Sequence, residues 1–515
     1  MNVTRVSRVL SKRTLLMSSA FPRFFSVTNG NGRLESSKVL TGGSMNPFVK
    51  QIEYAVRGAI VIRASEIEKE LKEGQSKPFD HVVKANIGDA HALGMKPLTF
   101  PRQVISMCVN PELLDDPRFP ADAKDRARRI LNGTGGFSMG AYSDSAGLEV
   151  IRKDVAKFIE NRDGYPANYK DIYLTSGASE GIRSILKLLQ TSVNQGKERA
   201  GVMIPIPQYP LYSASLSELN SYQINYFLDE DNSWALDTDE LKRAIDAARS
   251  QCVPRALCVI NPGNPTGQVL SYENIQSIIR FCKQEKLVML ADEVYQANIY
   301  AEDSKFHSFK KVLRDMGPEF EHMELISFHS TSKGFLGECG FRGGYMEVVG
   351  LDPEVRFHLN KMLTAKLCPS VVGQAMMGCL VNPPQPGEES YESFTQQKTA
   401  VLQSFKERAK LVQDTFNSVE GFHCNEVMGA MYSFPKIDMP HKAIIEAKAR
   451  GLHPDSFYAM QLLEETGLCV VPGNGFGQRE GTFHIRLTIL PPIDALKPLF
   501  ERFKAFHKKF LDKYK

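Results

Sequence analysis

The 515-residue chain has nine cysteines but no Cys-x-x-Cys pair and no His/Cys cluster at metal-ligand spacing. That argues against a zinc site and a disulfide framework, and the scattered thiols read as core or bystander residues of a reducing compartment. No apolar run is long enough to span a bilayer, so no membrane partner is expected. Net charge is scarce too. The formal balance is +4, and five cations (Arg5, Arg8, Lys12, Arg13 and Arg23) fall within residues 1–25, which hold no acid. The rest is close to neutral, and no nucleic-acid partner is expected. P-loop and dinucleotide fingerprints are missing, since Gly473-Asn474-Gly475-Phe476-Gly477 spaces its glycines wrongly for either.

What is present begins with a leader. The first acid is Glu35; before it come Arg, Ser and Thr with spaced apolar residues such as Val6, Leu10 and Leu15. Residues 1–25 are expected to be a transit peptide to the mitochondrial matrix, with Arg23-Phe24-Phe25-Ser26 resembling a matrix-protease site. A plastid leader and a plain basic tail stay open. Residues 26–45, polar and rich in Gly and Ser, read as a linker.

Helical patterns are expected over 46–74, 146–161, 179–190 and 271–284. Short apolar runs at 171–175, 201–206, 256–260, 287–291, 325–328 and 344–349 read as buried strands. Alternation of such strands with helices predicts an α/β fold with a largely parallel sheet. Residues from about 390 to the end read as a second α/β layer.

In an open α/β sheet, ligands gather at the carboxyl ends of the strands. Five runs are followed there by turn-rich or reactive segments. They are Ser176-Gly177-Ala178-Ser179, Pro207-Gln208-Tyr209-Pro210, the loop from Asn261 to Gly267, Asp292-Glu293-Val294-Tyr295 and His329-Ser330-Thr331-Ser332-Lys333. Ser179 is a candidate N-cap for a helix whose free amides attract phosphate. Asp292 is costly to bury unless paired. Taken singly, each segment has an ordinary reading as a cap, a turn or a solvated lysine. The Ser330-x-x-Lys333 spacing of serine acyl-enzymes lacks its companion triplets.

Together these segments resemble the fold-type-I pyridoxal-phosphate aminotransferases. The matching elements are Asn261-Pro262-Gly263-Asn264-Pro265-Thr266-Gly267, Asp292-Glu293-Val294-Tyr295, the Ser330 to Arg342 loop, and Arg486 within His484-Ile485-Arg486-Leu487, in that order. The resemblance covers roughly residues 45–515. It is nearest to the alanine aminotransferases, through Met45-Asn46-Pro47, Tyr54 to Gly58, Asn86 to His91, Gly140-Ala141-Tyr142-Ser143 and Val471 to Gly477.

The resemblance implies a large domain (111–375) with a mostly parallel seven-stranded sheet. A smaller α/β domain would be built from 46–110 and 376–515. The implied cofactor is pyridoxal 5'-phosphate, held as an imine on Lys333, whose freed amine would shuttle the substrate proton, its pKa depressed by Arg342. Asp292 would pair with the pyridine nitrogen, and Tyr295 and Asn264 would meet the ring hydroxyl oxygen. Tyr209 would stack on the ring. Ala178, Ser179, Ser330 and Arg342 would hold the phosphate, with Tyr142 reaching in from a second copy in a homodimer. Arg486 would fork onto the substrate carboxylate beside the Gly88 amide, with Asn264 near it. No metal is implied. The activity implied is amino transfer from L-alanine to 2-oxoglutarate, giving pyruvate and L-glutamate.

Three other readings remain at this stage. One is a glutamate–glyoxylate aminotransferase, although the chain ends Lys513-Tyr514-Lys515 and not in a peroxisomal address. The others are a carbon–sulfur lyase or cyclopropane-forming synthase, and a non-enzymatic DNA-binding regulator carrying the same fold.

Overall fold

The computed structural model describes residues 39–54, 58–190 and 196–515. The transit-peptide expectation and most of the linker expectation lie outside the described residues. The chain divides into two compact units, Met1–Asn46 and Pro47–Lys515. In the first, residues 39–44 form an exposed turn, where the Thr41 amide donates to Ser44 Oγ at 2.8 Å.

The second unit is built on a seven-stranded sheet. Its strands are β1 (Ile172–Ser176), β2 (Ala200–Ile206), β3 (Tyr222–Phe227), β4 (Val253–Ile260), β5 (Val288–Asp292), β6 (Leu325–Ser330) and β7 (Gly343–Val349). Their order across the sheet is β1-β7-β6-β5-β4-β2-β3. Only β7 runs against its neighbours. Six strands match the expected runs to within a few residues. Strands β2, β6 and β7 are buried along their whole length, as strands covered on both faces must be. The unforeseen strand is β3, at the edge, where Gln223 and Asn225 break the apolar run.

The pairing register brings the reactive ends together. Ile260 pairs with Asp292, Asp292 with Phe328, Ser330 with Gly344, and Ser176 with Gly343. The ends of β1, β4, β5 and β6 therefore lie along one rim, beside the start of β7.

The helix Ala178–Leu189 leaves β1 with Ile182, Ile185, Leu186 and Leu189 buried. Its N-cap is Gly177, not Ser179, which lies inside the first turn. Gly177 has φ +80°, and a β-carbon there would strike the Arg342 guanidinium, so glycine alone turns the chain and leaves room for that cation. Helices also span Glu149–Asp163 and Tyr272–Glu285. The pattern expected over 46–74 is helical chiefly at Ala59–Lys72, after a single 3-10 turn at Val49–Gln51.

Late in the chain, Tyr432–Ser433, Ile485–Thr488 and Val471–Pro472 form a small antiparallel sheet. Val83–Lys84 pairs with Leu468–Cys469, and the Thr488 amide donates to the Ala85 carbonyl at 2.9 Å. These contacts hold the N-terminal segment from Asn86 to Gly88 beside Arg486. Among the described residues no helix is long and apolar enough to cross a membrane.

Candidate active site

A cavity of about 500 Å³ opens at the strand-end rim. Eleven of the twelve site residues expected from the sequence line it: Gly88, Ala178, Ser179, Tyr209, Asn264, Asp292, Tyr295, Ser330, Lys333, Arg342 and Arg486. The twelfth, Tyr142, does not line it and is 76% exposed.

Asp292 ends β5 and is 4% exposed. Its Oδ2 accepts from the Tyr212 hydroxyl at 3.0 Å, while Oδ1 is buried with no partner. Burial raises this carboxyl to about 6, against the Tyr212 hydroxyl, the Val294 amide and Lys333, which pull it down. A buried acceptor left open on one side calls for a cationic or N–H partner.

Lys333 Nζ donates to the Gly88 carbonyl at 2.8 Å and lies 5.9 Å from the centre of the Tyr295 ring. Burial lowers the amine, but the Tyr432 oxygen and Cys339 outweigh it, and the lysine lies above its ordinary value. This corrects the expected depression by Arg342. The cation that pulls Lys333 down is Arg486, and it does not prevail. The described Gly88 contact likewise uses the carbonyl, where the amide was expected.

Arg342 stands at the opposite end. Its guanidinium donates to the Cys339 carbonyl at 2.8 Å and the Ser176 carbonyl at 3.3 Å, which holds it beside the start of the Ala178–Leu189 helix. First-turn amides have no partner within their own helix, so this corner favours an anion.

Arg486 is 1% exposed. It donates to Asn264 Oδ1 at 3.3 Å and to the Asn86 carbonyl, while its Nε has no partner. Tyr432 and Phe476 face it, with ring centres 4.3 and 4.7 Å from the guanidinium carbon. A buried cation held by neutral oxygens suits an incoming carboxylate.

Several contributors escaped the sequence reading. Tyr212 braces Asp292, Tyr54 meets the Tyr209 hydroxyl at 3.0 Å, and Tyr432 lies between Lys333 and Arg486. Cys339 also lines the cavity. None belongs to a local motif that assigns it a role.

Pyridoxal 5'-phosphate fits the residues present. An orphaned carboxylate oxygen waits for the ring nitrogen, and a cationic helix start waits for the phosphate. An amine lies between this pair and the carboxylate-binding guanidinium.

The comparisons with known proteins agree. The model of the family aminotransferase class I and II matches residues 102–503. Alanine aminotransferase 2 of Xenopus laevis is 59% identical over 480 residues, covering 93% of this chain and 88% of its own. Glutamate–glyoxylate aminotransferase 2 of Arabidopsis thaliana is 48% identical over 485 residues, covering 93% of this chain and 98% of its own. Among solved structures, an alanine aminotransferase from Pyrococcus furiosus superposes with a TM-score of 0.70 at 22% identity, covering 90% of this chain and 100% of that one, a likeness of fold. With its strand-end cavity and matched length, the chain belongs to the aminotransferase class I and II family, enzymes that work with pyridoxal 5'-phosphate.

Proposed function

We propose that the enzyme transfers the amino group of L-alanine to 2-oxoglutarate, giving pyruvate and L-glutamate in two half-reactions through one cavity. The observation that carries this reading is the convergence of Lys333, the open Asp292 Oδ1 and the buried Arg486 on that cavity. The alanine aminotransferase relative shares more of the sequence than the glutamate–glyoxylate relative, which favours alanine as donor.

When bound, pyridoxal 5'-phosphate supplies an aldehyde that exchanges amines and a protonated ring that accepts electron density from the substrate Cα. Asp292 Oδ1 keeps the ring nitrogen protonated, and Tyr212 occupies Oδ2 so that the carboxylate cannot turn away. The Ala178 and Ser179 amides, Ser330 and Arg342 hold the phosphate. Tyr209, tethered by Tyr54, packs on the ring face, and Asn264 and Tyr295 hold its phenolic oxygen. Arg486 takes the substrate carboxylate beside Gly88. Lys333 anchors the cofactor and then takes and returns the Cα proton at Nζ.

Coupled pyruvate detection with L-alanine and 2-oxoglutarate tests the activity. Robust turnover is expected, with glutamate-to-glyoxylate transfer much slower; the reverse preference would reject the alanine assignment. Arg486→Lys keeps the charge but loses the fork. Its kcat/KM should fall by roughly 10- to 100-fold, the worth of a hydrogen bond to a charged group. An unchanged value would remove Arg486 from substrate binding.

The same reading includes a homodimer in which the exposed Tyr142 reaches the phosphate of the second copy. A monomer by sedimentation, fully active, would reject it. It also includes a large lobe of 111–375 and a smaller lobe of 46–110 with 376–515. Residues 1–25 would deliver the enzyme to the mitochondrial matrix. A fluorescent protein fused behind residues 1–45 should enter mitochondria, and plastid or cytosolic fluorescence would refute this.

A further inference from the structure

Tyr432 has no place in the roles above, yet its hydroxyl lies in the middle of the site. The chain folds it there through the small antiparallel sheet, where Tyr432 pairs with Thr488 and Ser433 with Leu487, one strand away from Arg486. Its ring lies under the guanidinium of Arg486 at 4.3 Å. Its hydroxyl is within hydrogen-bonding reach of Lys333 Nζ and 3.4 Å from the Tyr295 hydroxyl.

Packing alone does not call for that oxygen. A phenylalanine ring would fill the same space and present the same face to Arg486. A buried hydroxyl is costly without partners, so its presence points to the groups it meets. Gly88 reinforces the point. A β-carbon there would run into the Tyr432 hydroxyl and lie 2.9 Å from Lys333 Nζ. The segment over the cavity therefore carries glycine where lysine, tyrosine and backbone crowd together.

We infer that Tyr432 is a catalytic residue, whose hydroxyl holds the Lys333 amine in place through both of its protonation states. This rests on the reading of Lys333 as the proton carrier. A phenol suits the task because it donates to a neutral amine and accepts from an ammonium. No proton leaves the phenol in either arrangement. The hydroxyl turns, and the amine keeps its position between the cofactor and the substrate carbon. Asparagine or threonine could also bond both ways, but neither would back the guanidinium with an aromatic face.

The electrostatics run the same way. The groups facing Lys333 are Tyr432, Cys339 and Arg486, with Tyr295 below and Asp292 further along the cavity. Burial lowers the amine, and the Tyr432 oxygen is the foremost influence raising it. In return, burial raises the Tyr432 phenol, but Lys333 and Arg486 pull it below its ordinary value.

The test is Tyr432→Phe in the full-length protein, read two ways. Before cofactor is added, the rate at which trinitrobenzenesulfonate labels Lys333 is followed by peptide mass against pH. The midpoint should fall by about one unit, a typical environmental shift, because the group that favours the ammonium is gone. With cofactor bound, kcat should fall by roughly 10- to 100-fold, while KM for L-alanine moves less than about threefold. Site-specific 3-fluorotyrosine at 432 keeps the hydroxyl and should restore most of kcat.

An unmoved labelling midpoint with unchanged kcat overturns the inference. So does a raised KM at constant kcat, which would reduce Tyr432 to a platform for Arg486. If the wild type fails to transfer amino groups at all, the functional reading fails first. The labelling midpoint, measured without substrate, still decides whether Tyr432 governs the lysine.

Discussion

Lys333→Ala should reduce amino transfer by roughly 10⁴-fold, the upper range for one positioned acid–base group. Two roles fall on the same nitrogen. It anchors the cofactor, and it carries the Cα proton during each half-reaction. No neighbour can take over. Tyr432 and Tyr295 are phenols, and the remaining cations of the cavity, Arg342 and Arg486, are guanidiniums that do not give up a proton. Circular dichroism should show an intact fold, because the lost partner is one carbonyl at the cavity wall, that of Gly88. Stopped-flow mixing with L-alanine should therefore show binding without conversion. Turnover within tenfold of wild type would remove Lys333 from the chemistry.

Asp292→Asn should cost about 10²- to 10³-fold in kcat, the scale seen when one preorganised electrostatic contact is lost. An amide cannot hold the ring nitrogen protonated, and Tyr212 would then bond to a neutral group. A second readout needs no substrate. Burial raises the Asp292 carboxyl to about 6. An acid whose folded-state value lies above its unfolded value contributes stability below the unfolded value, near about 4. That contribution is lost as pH rises through about 6. The cofactor-free wild type should thus lose more thermal stability than Asp292→Asn on going from about pH 4 to about pH 7. Glu293, raised by burial to about 7, titrates in an overlapping window in both proteins and cancels from the difference. Equal losses in the two proteins would mean that Asp292 is not the buried acid described.

The contrast between β5 and β3 explains what could be read early. Strand β5 is a nearly pure apolar run that stops at an acid, and both features are local. Strand β3 carries Gln223 and Asn225 because the sheet edge leaves them in partial contact with water. Its pattern is that of a loop until its neighbour is known. The site divides along the same line. Lys333, Asp292, Asn264 and Arg342 sit in turn-rich segments at strand ends, where glycine and proline mark the place. Tyr54, Tyr212 and Tyr432 owe their positions to distant chain segments. Tyr212 reaches Asp292 across 80 residues, and Tyr54 reaches Tyr209 across 155. No spacing rule connects such pairs. The rise of the Lys333 amine was hidden for the same reason, since it depends on Tyr432 and not on Arg342 along the same loop.

Borohydride reduction of the cofactor-loaded protein, followed by digestion and peptide mass measurement, is the most direct test of covalent attachment at Lys333. The peptide containing Lys333 should gain the mass of the reduced cofactor, and no other lysine should carry it. Label on a different lysine, or an unmodified Lys333 peptide from fully active enzyme, would contradict the account.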